Sequence, residues 1–533
     1  MLKSQATALI AALVICQSVH AQTAAPPTYL GVLAGEGAPQ QPTGVKLYGT
    51  DLGWTFTHDG QLNILFGDSW RTAHSLCDVQ TQGIDKNDDS QAVLPMSYPG
   101  GVPAMSVFTQ ANSSEFEPIV VTRDGRSLDM STNRTPLTGF SDGSRPIVML
   151  HSATFMQCGA AADGCPAPLQ CTRDVGQCQP ALLNLTQPCN ADTNEGCYTG
   201  QRCRRLDSGY CIDPTSPQPK MMNKTALEVE ISVPDASAPT HYTSKRTWAT
   251  NKFYNMASRT IAKLAKDGEG SDFSPGTNTL LLWGRPGFFA SEGLSLPVYL
   301  LAHDLPLHEA SGGKLEWKPS YFAGLDGSGK PTWSAQESDA AALSLDGSVG
   351  GSTEETVAAT NQMTIAWLPA PIEKWVMLYG GGGTAEGEAG PPGFIAIRFA
   401  DQPWGPWSKP EVHMSEGAPD MPNTPMGPGG LLYHPDCKDT ADAKCARTDP
   451  SRPLHILSLF CMPPAVETDS GYFYAPNIIQ EYTTPNADAG WIFIGTCRRG
   501  IRIGCICTGA RSCRSRAAVR SREVFGLGLG HES

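Results

Sequence analysis

The sequence lacks long apolar runs and a sustained helical period. After residue 21, no stretch reaches the about eighteen uninterrupted apolar residues that a membrane-spanning helix needs. Only residues 258–266 keep a helix-like spacing of apolar side chains. The apolar runs are short and end at turn residues, as at 279–283, 363–368 and 375–379. This pattern predicts an all-β protein without a membrane span.

The chain is poor in charge and has no basic excess. Charged residues make up 17% of it, and the formal net charge is −13. Because an acidic surface repels phosphates and anionic lipids, the negative net charge argues against nucleic-acid and anionic-membrane partners. A neutral polysaccharide or a small ligand is a partner more compatible with this charge. The 55 glycines and 43 prolines suit many short strands joined by turns.

The N-terminus has the pattern of a secretory signal peptide over residues 1–21. Lys3 supplies the positive charge, residues 8–16 the apolar run, and Val19-His20-Ala21 a small-residue cleavage site. We therefore expect a secreted, extracellular protein. A Pro/Ala/Gly-rich linker is predicted over residues 22–43, before the first strand.

The cysteine pattern lacks the paired CxxC motifs of zinc sites, so we expect no metal there. Seventeen cysteines minus Cys16 of the signal leave sixteen, and an even number in an exported protein favours disulfides. Eight of them, in residues 158–211, form two copies of a four-cysteine unit with closely matching intervals. This segment predicts a small disulfide-rich insert whose pairing the sequence leaves open.

A predicted hairpin over residues 49–70, GTDLGWTFTHDGQLNILFGDSW, holds the first candidate site. Asp59-Gly60 favours a two-residue turn, which would place Asp51 directly opposite Asp68. A three-residue loop would shift the register by one residue and would place Asp51 opposite Gly67 instead. Facing carboxylates destabilise a sheet, so such a pair suggests a site that needs two acids. The alternative is a pair of solvated aspartates at strand ends.

The same hairpin resembles the opening signature of the secreted endo-D-arabinofuranases of glycoside hydrolase family 183. The resemblance is close over GTDLGW…DG…LFGDSW and loose over the remainder of residues 43–490. It implies a five-bladed β-propeller that cleaves D-arabinan of mycobacterial cell walls without a cofactor. By position, Asp51 and Asp68 match the catalytic candidates of that family, and Asp88 matches a residue at the rim of the site.

Further candidates follow from residue type and position. Glu355 precedes a predicted strand and is a candidate third acid, although a surface-loop glutamate is the simpler explanation. The remaining candidates for substrate binding are aromatic, amide or arginine residues near turns or strand ends, where rings can stack on sugars and polar groups can reach hydroxyls: Trp54, Trp70, Arg71, Asn255, Arg285 and Asn477.

Strand ends of similar character recur at residues 62–70, 278–287 and 374–383, as expected for repeated propeller blades. The segments 44–157 and 212–490 are predicted to form the propeller, with the insert 158–211 between them. A β-sandwich or jelly roll would permit the same strand pattern. Residues 491–533 are rich in arginine and cysteine, and we interpret them as a divergent basic tail, which leaves closure of the last blade open.

These observations predict a secreted endo-acting glycoside hydrolase that acts on a furanosidic polysaccharide through paired carboxylates. A different class, a non-catalytic carbohydrate-binding propeller, fits the same fold. A sialidase-like hydrolase is a third reading, because residues 325–333 resemble a single imperfect Asp-box turn.

Overall fold

The computed structural model describes residues 23–24, 28–35, 38–71, 88–128, 135–153, 169–172, 177–180, 202–204, 210–212, 227–250, 252–286, 296–345, 357–359, 362–370, 372–381, 394–415, 473–483, 490–498, 504–511 and 527–530. Nearly all of its regular structure is β-strand; the helical segments here are the 3₁₀ turns Glu337–Asp339 and Gln480–Tyr482. Within this part of the chain, no helix has the length and apolar character to cross a membrane.

The N-terminal part contributes two strands and then the first sheet. The strands are β1 (Thr23–Ala24), β2 (Thr28–Ala34), β3 (Gln40–Gln41), β4 (Gly49–His58), β5 (Gln61–Trp70), β6 (Asp88–Leu94) and β7 (Met105–Val107). The first sheet has the order β3-β7-β6-β5-β4. Strand β4 is therefore an edge strand, and it lies innermost.

The second sheet is interrupted by the cysteine-rich insert. Its strands and the insert hairpins are β8 (Val120–Arg123), β9 (Arg126–Leu128), β10 (Pro136–Ser141), β11 (Pro146–Ala153), β12 (Leu169–Thr172), β13 (Gln177–Pro180), β14 (Arg202–Arg204), β15 (Tyr210–Ile212), β16 (Leu227–Pro234) and β17 (His241–Thr250). The sheet order is β10-β11-β16-β17-β8-β9, and the insert strands pair as β12-β13 and β14-β15.

Two more sheets follow along the chain. Their strands are β18 (Asn255–Lys263), β19 (Asp272–Pro275), β20 (Thr279–Arg285), β21 (Leu296–Pro297), β22 (Tyr299–Asp304), β23 (Ser320–Leu325), β24 (Pro331–Ser334), β25 (Ala358–Ala359), β26 (Met363–Leu368), β27 (Lys374–Gly381), β28 (Phe394–Ala400) and β29 (Glu411–Ser415). The third sheet has the order β19-β18-β20-β22-β23-β24 and the fourth β26-β27-β28-β29, while β21 pairs with β25.

The fifth sheet joins the two ends of the chain. It contains β30 (Phe473–Ile478), β31 (Gly490–Arg498), β32 (Gly504–Arg511) and β33 (Leu527–Gly530). Strand β30 pairs with β31, β31 with β32, and β32 with β2 from the N-terminal region. The innermost strands contact one another in the cycle β4, β10, β18, β26, β30 and back to β4. The predicted all-β propeller is confirmed.

The fifth sheet corrects two predicted boundaries. The segment 22–43 is not a simple linker, because it contains β2, the outer strand of this sheet. Residues 491–533 are not a separate tail, because β31 and β32 pair in its centre. Ladder hydrogen bonds are made by the backbone, so composition rich in alanine or arginine did not reveal these strands.

Apolar clusters between neighbouring sheets hold the ring together. One cluster joins the first and second sheets through Trp54, Leu65 and Tyr242. Between the third and fourth sheets, the rings of Trp283 and Trp375 lie 5.2 Å apart. Burial of such large side chains is the main favourable term in folding, and it fixes each innermost strand relative to the next.

Candidate active site

The innermost strands all run in the same direction around a central channel. At one level, Trp54 Nε1 of β4 donates to the Pro136 carbonyl of β10 at 3.1 Å. Further along both strands, His58 Nδ1 and Ser141 Oγ lie 2.8 Å apart. Because these contacts occur in the same order along β4 and β10, the N-terminal ends of these two innermost strands meet at one end of the channel. We call this end the mouth.

Further along the innermost strands, polar contacts link different blades. Arg259 of β18 donates from Nη2 to the Ile478 carbonyl at 3.2 Å, and Thr57 of β4 donates to the Glu481 carboxylate. Burial lowers the pKa of Arg259, and the charge of Glu481 opposes that shift.

The predicted hairpin is present, and its register is correct near the turn. His58 pairs with Gln61, and the ladder continues without irregularity to Trp54 opposite Leu65. Beyond this point Leu52 pairs with Phe66, and Thr50 then pairs with Ser69. Two compensating β-bulges, at Gly53 on β4 and at Gly67 on β5, explain these shifts.

The bulges change the predicted opposition of the two aspartates. The backbone of Asp51 lies across from both Gly67 and Asp68 and has no one-to-one ladder partner. The expected direct pairing of Asp51 with Asp68 is therefore wrong, although the two remain neighbours across the hairpin. The next residue, Leu52, has a φ of 61°. That conformation costs a branched side chain about 1–2 kcal/mol, and such strain is concentrated at functional sites.

The direct partner of Asp68 lies on the other neighbouring strand. Asp68 of β5 pairs with Asp89 of β6, so the two carboxylates project from the same face of the sheet. Asp68 is partly exposed, whereas Asp89 is fully buried. Both take part in interactions with neighbouring groups. Together with Asp51, this places three acidic positions on three adjacent strands at the mouth.

A row of hydroxyls fixes the strands beside the acids. Thr50 Oγ1 lies 2.8 Å from Ser69 Oγ, which in turn lies 2.8 Å from Ser90 Oγ. All three side chains are buried. This row crosses β4, β5 and β6 and stabilises the register next to the bulges.

Arg71 and Asp88, both predicted to bind substrate, bind each other. Arg71 Nη1 lies 2.7 Å from Asp88 Oδ2, and its Nε lies 3.7 Å from Glu115 Oε2. The guanidinium also stacks over Phe116, 4.2 Å from the ring centroid. Both side chains of the pair are largely buried, so this contact positions Arg71 at the edge of the site.

Trp54 and Trp70 do not have the exposed ring faces that the sequence suggested. Each is 4% exposed, because Trp54 packs between the first two sheets and Trp70 ends β5 inside the fold. The Trp70 indole N–H is buried, with no hydrogen-bond partner among the described residues. Neither ring can stack on a sugar in this arrangement.

The predicted binding residues of the later blades lie inside the ring. Asn477 donates to Thr55 Oγ1 at 3.1 Å and accepts from Thr364 Oγ1 at 3.5 Å, which links three innermost strands. Arg285 is fully buried at the end of β20 and donates to the Ala359 carbonyl at 3.1 Å. Their role in binding stays a prediction, as do the catalytic roles of Asp51 and Asp68. Glu355 lies outside the described residues.

Polar side chains at the start of three innermost strands were missed or only partly recognised from the sequence. Thr135 directly precedes β10, Asn255 begins β18, and Gln362 directly precedes β26. Each is buried and has a side-chain oxygen without a hydrogen-bond partner among the described residues. Asn255 was a sequence candidate. Thr135 and Gln362 were not, because a lone threonine or glutamine carries no motif.

Asp89 was also missed. The sequence pointed to Asp88, and only the β5–β6 register shows that Asp89 is the partner of Asp68. The signal available was the position of Asp88-Asp89 at the start of a strand that follows the hairpin. In the described part of the chain, no group of three or more His, Cys, Asp or Glu side chains is arranged to hold a metal ion.

Comparison with known proteins gives distant structural similarities. No protein-family model and no curated protein matches the sequence. A putative hydrolase from Bacteroides ovatus has 9% identity and a TM-score of 0.37, over 87% of this chain and 86% of its own.

Two named glycosidases are similar at the same level. The α-L-arabinofuranosidase PaAbf62A from Podospora anserina, in complex with cellotriose, has 9% identity, a TM-score of 0.30 and coverages of 91% and 96%. A GH43_1 enzyme from Xanthomonas citri has 9% identity, a TM-score of 0.31 and coverages of 96% and 95%. Similarities this distant assign no family to the chain.

Proposed function

We propose that the protein is a secreted, endo-acting glycoside hydrolase that cleaves a furanosidic, D-arabinan-like polysaccharide. The observation that supports this most is the set of acidic positions on the first three strands of the first sheet. Asp68 faces the buried Asp89, and Asp51 lies across the bulge beside a strained backbone position. Like charges placed opposite one another destabilise a sheet, so folding alone does not explain this arrangement.

The chemistry needs one protonated and one ionised carboxyl group. The acid protonates the leaving glycosidic oxygen, and the carboxylate attacks the anomeric carbon or activates a water molecule. Asp51 and Asp68 are the proposed pair, and Glu355 is a proposed further acid. Two close carboxylates disfavour double ionisation, so facing aspartates such as Asp68 and Asp89 retain one proton more readily than an isolated carboxyl group does.

The test is to incubate the purified protein with arabinogalactan and a panel of other polysaccharides and to analyse released oligosaccharides. We expect a ladder of arabinan fragments from the wild type. Asp51→Asn and Asp68→Asn should each lower turnover by orders of magnitude while glycan binding persists. The matched control is Asp304→Asn, an exposed strand-end aspartate, which should leave turnover unchanged.

A carbohydrate-binding propeller without catalysis predicts a different result. The wild type would then bind a glycan of the panel and release nothing. Absence of both cleavage and binding across the panel would contradict either function.

A further inference from the structure

Three buried polar side chains at the mouth have side-chain atoms without partners among the residues that the structure describes. Thr135, Asn255 and Gln362 are 7%, 1% and 4% exposed. Thr135 Oγ1, both side-chain amide atoms of Asn255 and Gln362 Oε1 make no hydrogen bond with any described residue. Each group thus has hydrogen-bonding capacity that the described residues do not use.

The three residues occupy equivalent places in successive blades. Each stands at, or immediately before, the first residue of an innermost strand: Thr135 before β10, Asn255 on β18 and Gln362 before β26. Since these strands run in the same direction, the three side chains start from the same end of the channel.

A chain of contacts within and between blades connects the three residues. The His151 N–H donates to the Thr135 carbonyl at 3.0 Å, and His151 Nε2 lies 3.2 Å from the carbonyl of Tyr254, which precedes Asn255. Asn255 pairs with Arg285, which donates to the carbonyl of Ala359, three residues before Gln362. This chain of contacts runs from the second blade to the fourth.

Three hydroxyls further along the same innermost strands have hydrogen-bond partners. Thr138 Oγ1 lies 2.6 Å from Ser258 Oγ, and Thr364 Oγ1 donates to Asn477 and accepts from the Ile478 N–H. On β10, β18 and β26, these interior hydroxyls are therefore paired, whereas the side chains at the strand starts lack partners among the described residues. A buried group without a partner destabilises the fold, so a bound molecule is the natural source of the missing hydrogen bonds.

We infer that Thr135, Asn255 and Gln362 form a hydroxyl-binding rim that holds a sugar ring of the polysaccharide at the mouth. Each sugar hydroxyl can donate and accept, and so can the amide of Asn255 and the hydroxyl of Thr135. The three side chains are uncharged, which suits a neutral sugar. This inference rests on the proposed function, because it places the rim in the same site as the acids of the first sheet.

The test uses apolar variants of similar shape: Thr135→Val, Asn255→Leu and Gln362→Met. Removing a group that makes no hydrogen bond should leave the melting temperature unchanged or raise it. Loss of a hydrogen bond to substrate should raise KM for arabinan oligosaccharides by about tenfold per variant. The matched control is Thr364→Val, whose hydroxyl is paired inside the fold; this variant should lower the melting temperature.

The possible outcomes separate this inference from the proposed function. If the wild type cleaves arabinan but the variants keep its KM and lose stability, the rim is structural and the inference is wrong. If the wild type cleaves nothing yet binds a glycan of the panel, the hydrolase proposal fails. The variants are then titrated with that glycan by calorimetry, where weaker binding supports the rim and unchanged binding overturns it. Absence of any glycan binding by the wild type overturns both.

Discussion

Asp89 lies directly opposite Asp68 on the neighbouring strand and is fully buried. A negative charge so close raises the pKa of its neighbour, so replacing it with a neutral amide should lower the pKa of Asp68. For Asp89→Asn we therefore expect the limb of the pH–rate profile that reports Asp68 to move to lower pH. The direction is the same whether Asp68 is the acid or the base.

The measurement is kcat/KM for cleavage of the polysaccharide between pH 3 and 9, followed by the release of oligosaccharides. The pH dependence of kcat/KM reports groups of the free enzyme. Asp304→Asn serves as the charge-matched control and should leave the profile in place. A profile for Asp89→Asn that falls in height without moving along the pH axis would show that Asp89 has only a structural role.

His151 should make folding stability depend on pH. Burial lowers the pKa of His151 to about 4, so the ring is neutral at neutral pH and Nε2 donates to the Tyr254 carbonyl. Above the unfolded pKa of about 6.5, both states are neutral. Between about pH 6.5 and 4 only the unfolded state binds the proton, which lowers the free energy of unfolding by up to about 3 kcal/mol.

Denaturant unfolding of the wild type and of His151→Gln at several pH values tests this expectation. The variant lacks the titrating ring, so its free energy of unfolding should fall less over the same range. Parallel curves would contradict the assignment of this pH dependence to His151.

Gly139 is required by close packing between the first two sheets. A Cβ placed on it would lie 2.4 Å from Cδ1 of Phe56, a buried ring that has no room to move away. Gly139→Ala should therefore destabilise the fold by about 1–3 kcal/mol through overpacking. Gly101→Ala is the control, since a Cβ there meets nothing within 4 Å. Melting temperatures compare the two variants, and equal values would show that the blades can shift apart without cost.

The hairpin shows how far the sequence could predict the structure. Asp59-Gly60 gave the correct turn, and the register follows from it as far as Trp54 opposite Leu65. The prediction failed at Gly53 and Gly67, because a glycine permits a bulge but does not require one. Whether the ladder shifts there depends on the neighbouring strand β6, which sequence pattern alone does not align.

Burial explains the other differences at the site. Trp54 and Trp70 were expected to be exposed, but an aromatic in a strand can face either the solvent or the next blade, and ring closure decides which. The unpaired groups of Thr135, Asn255 and Gln362 were equally hidden from sequence reasoning. An unsatisfied hydrogen-bonding group is a property of the surroundings, not of the residue type.

The pairing of β2 with β32 joins residues that are more than 450 positions apart in the sequence, with the other blades between them along the chain. Contacts this distant along the chain form late and slowly, so the ring stays open until β30–β32 have been synthesised. Proteolysis that removes β2 and truncation that removes β32 should therefore open the propeller at the same seam. Strands β2 and β32 thus close the ring jointly, and loss of either strand removes the backbone pairing that both contribute to.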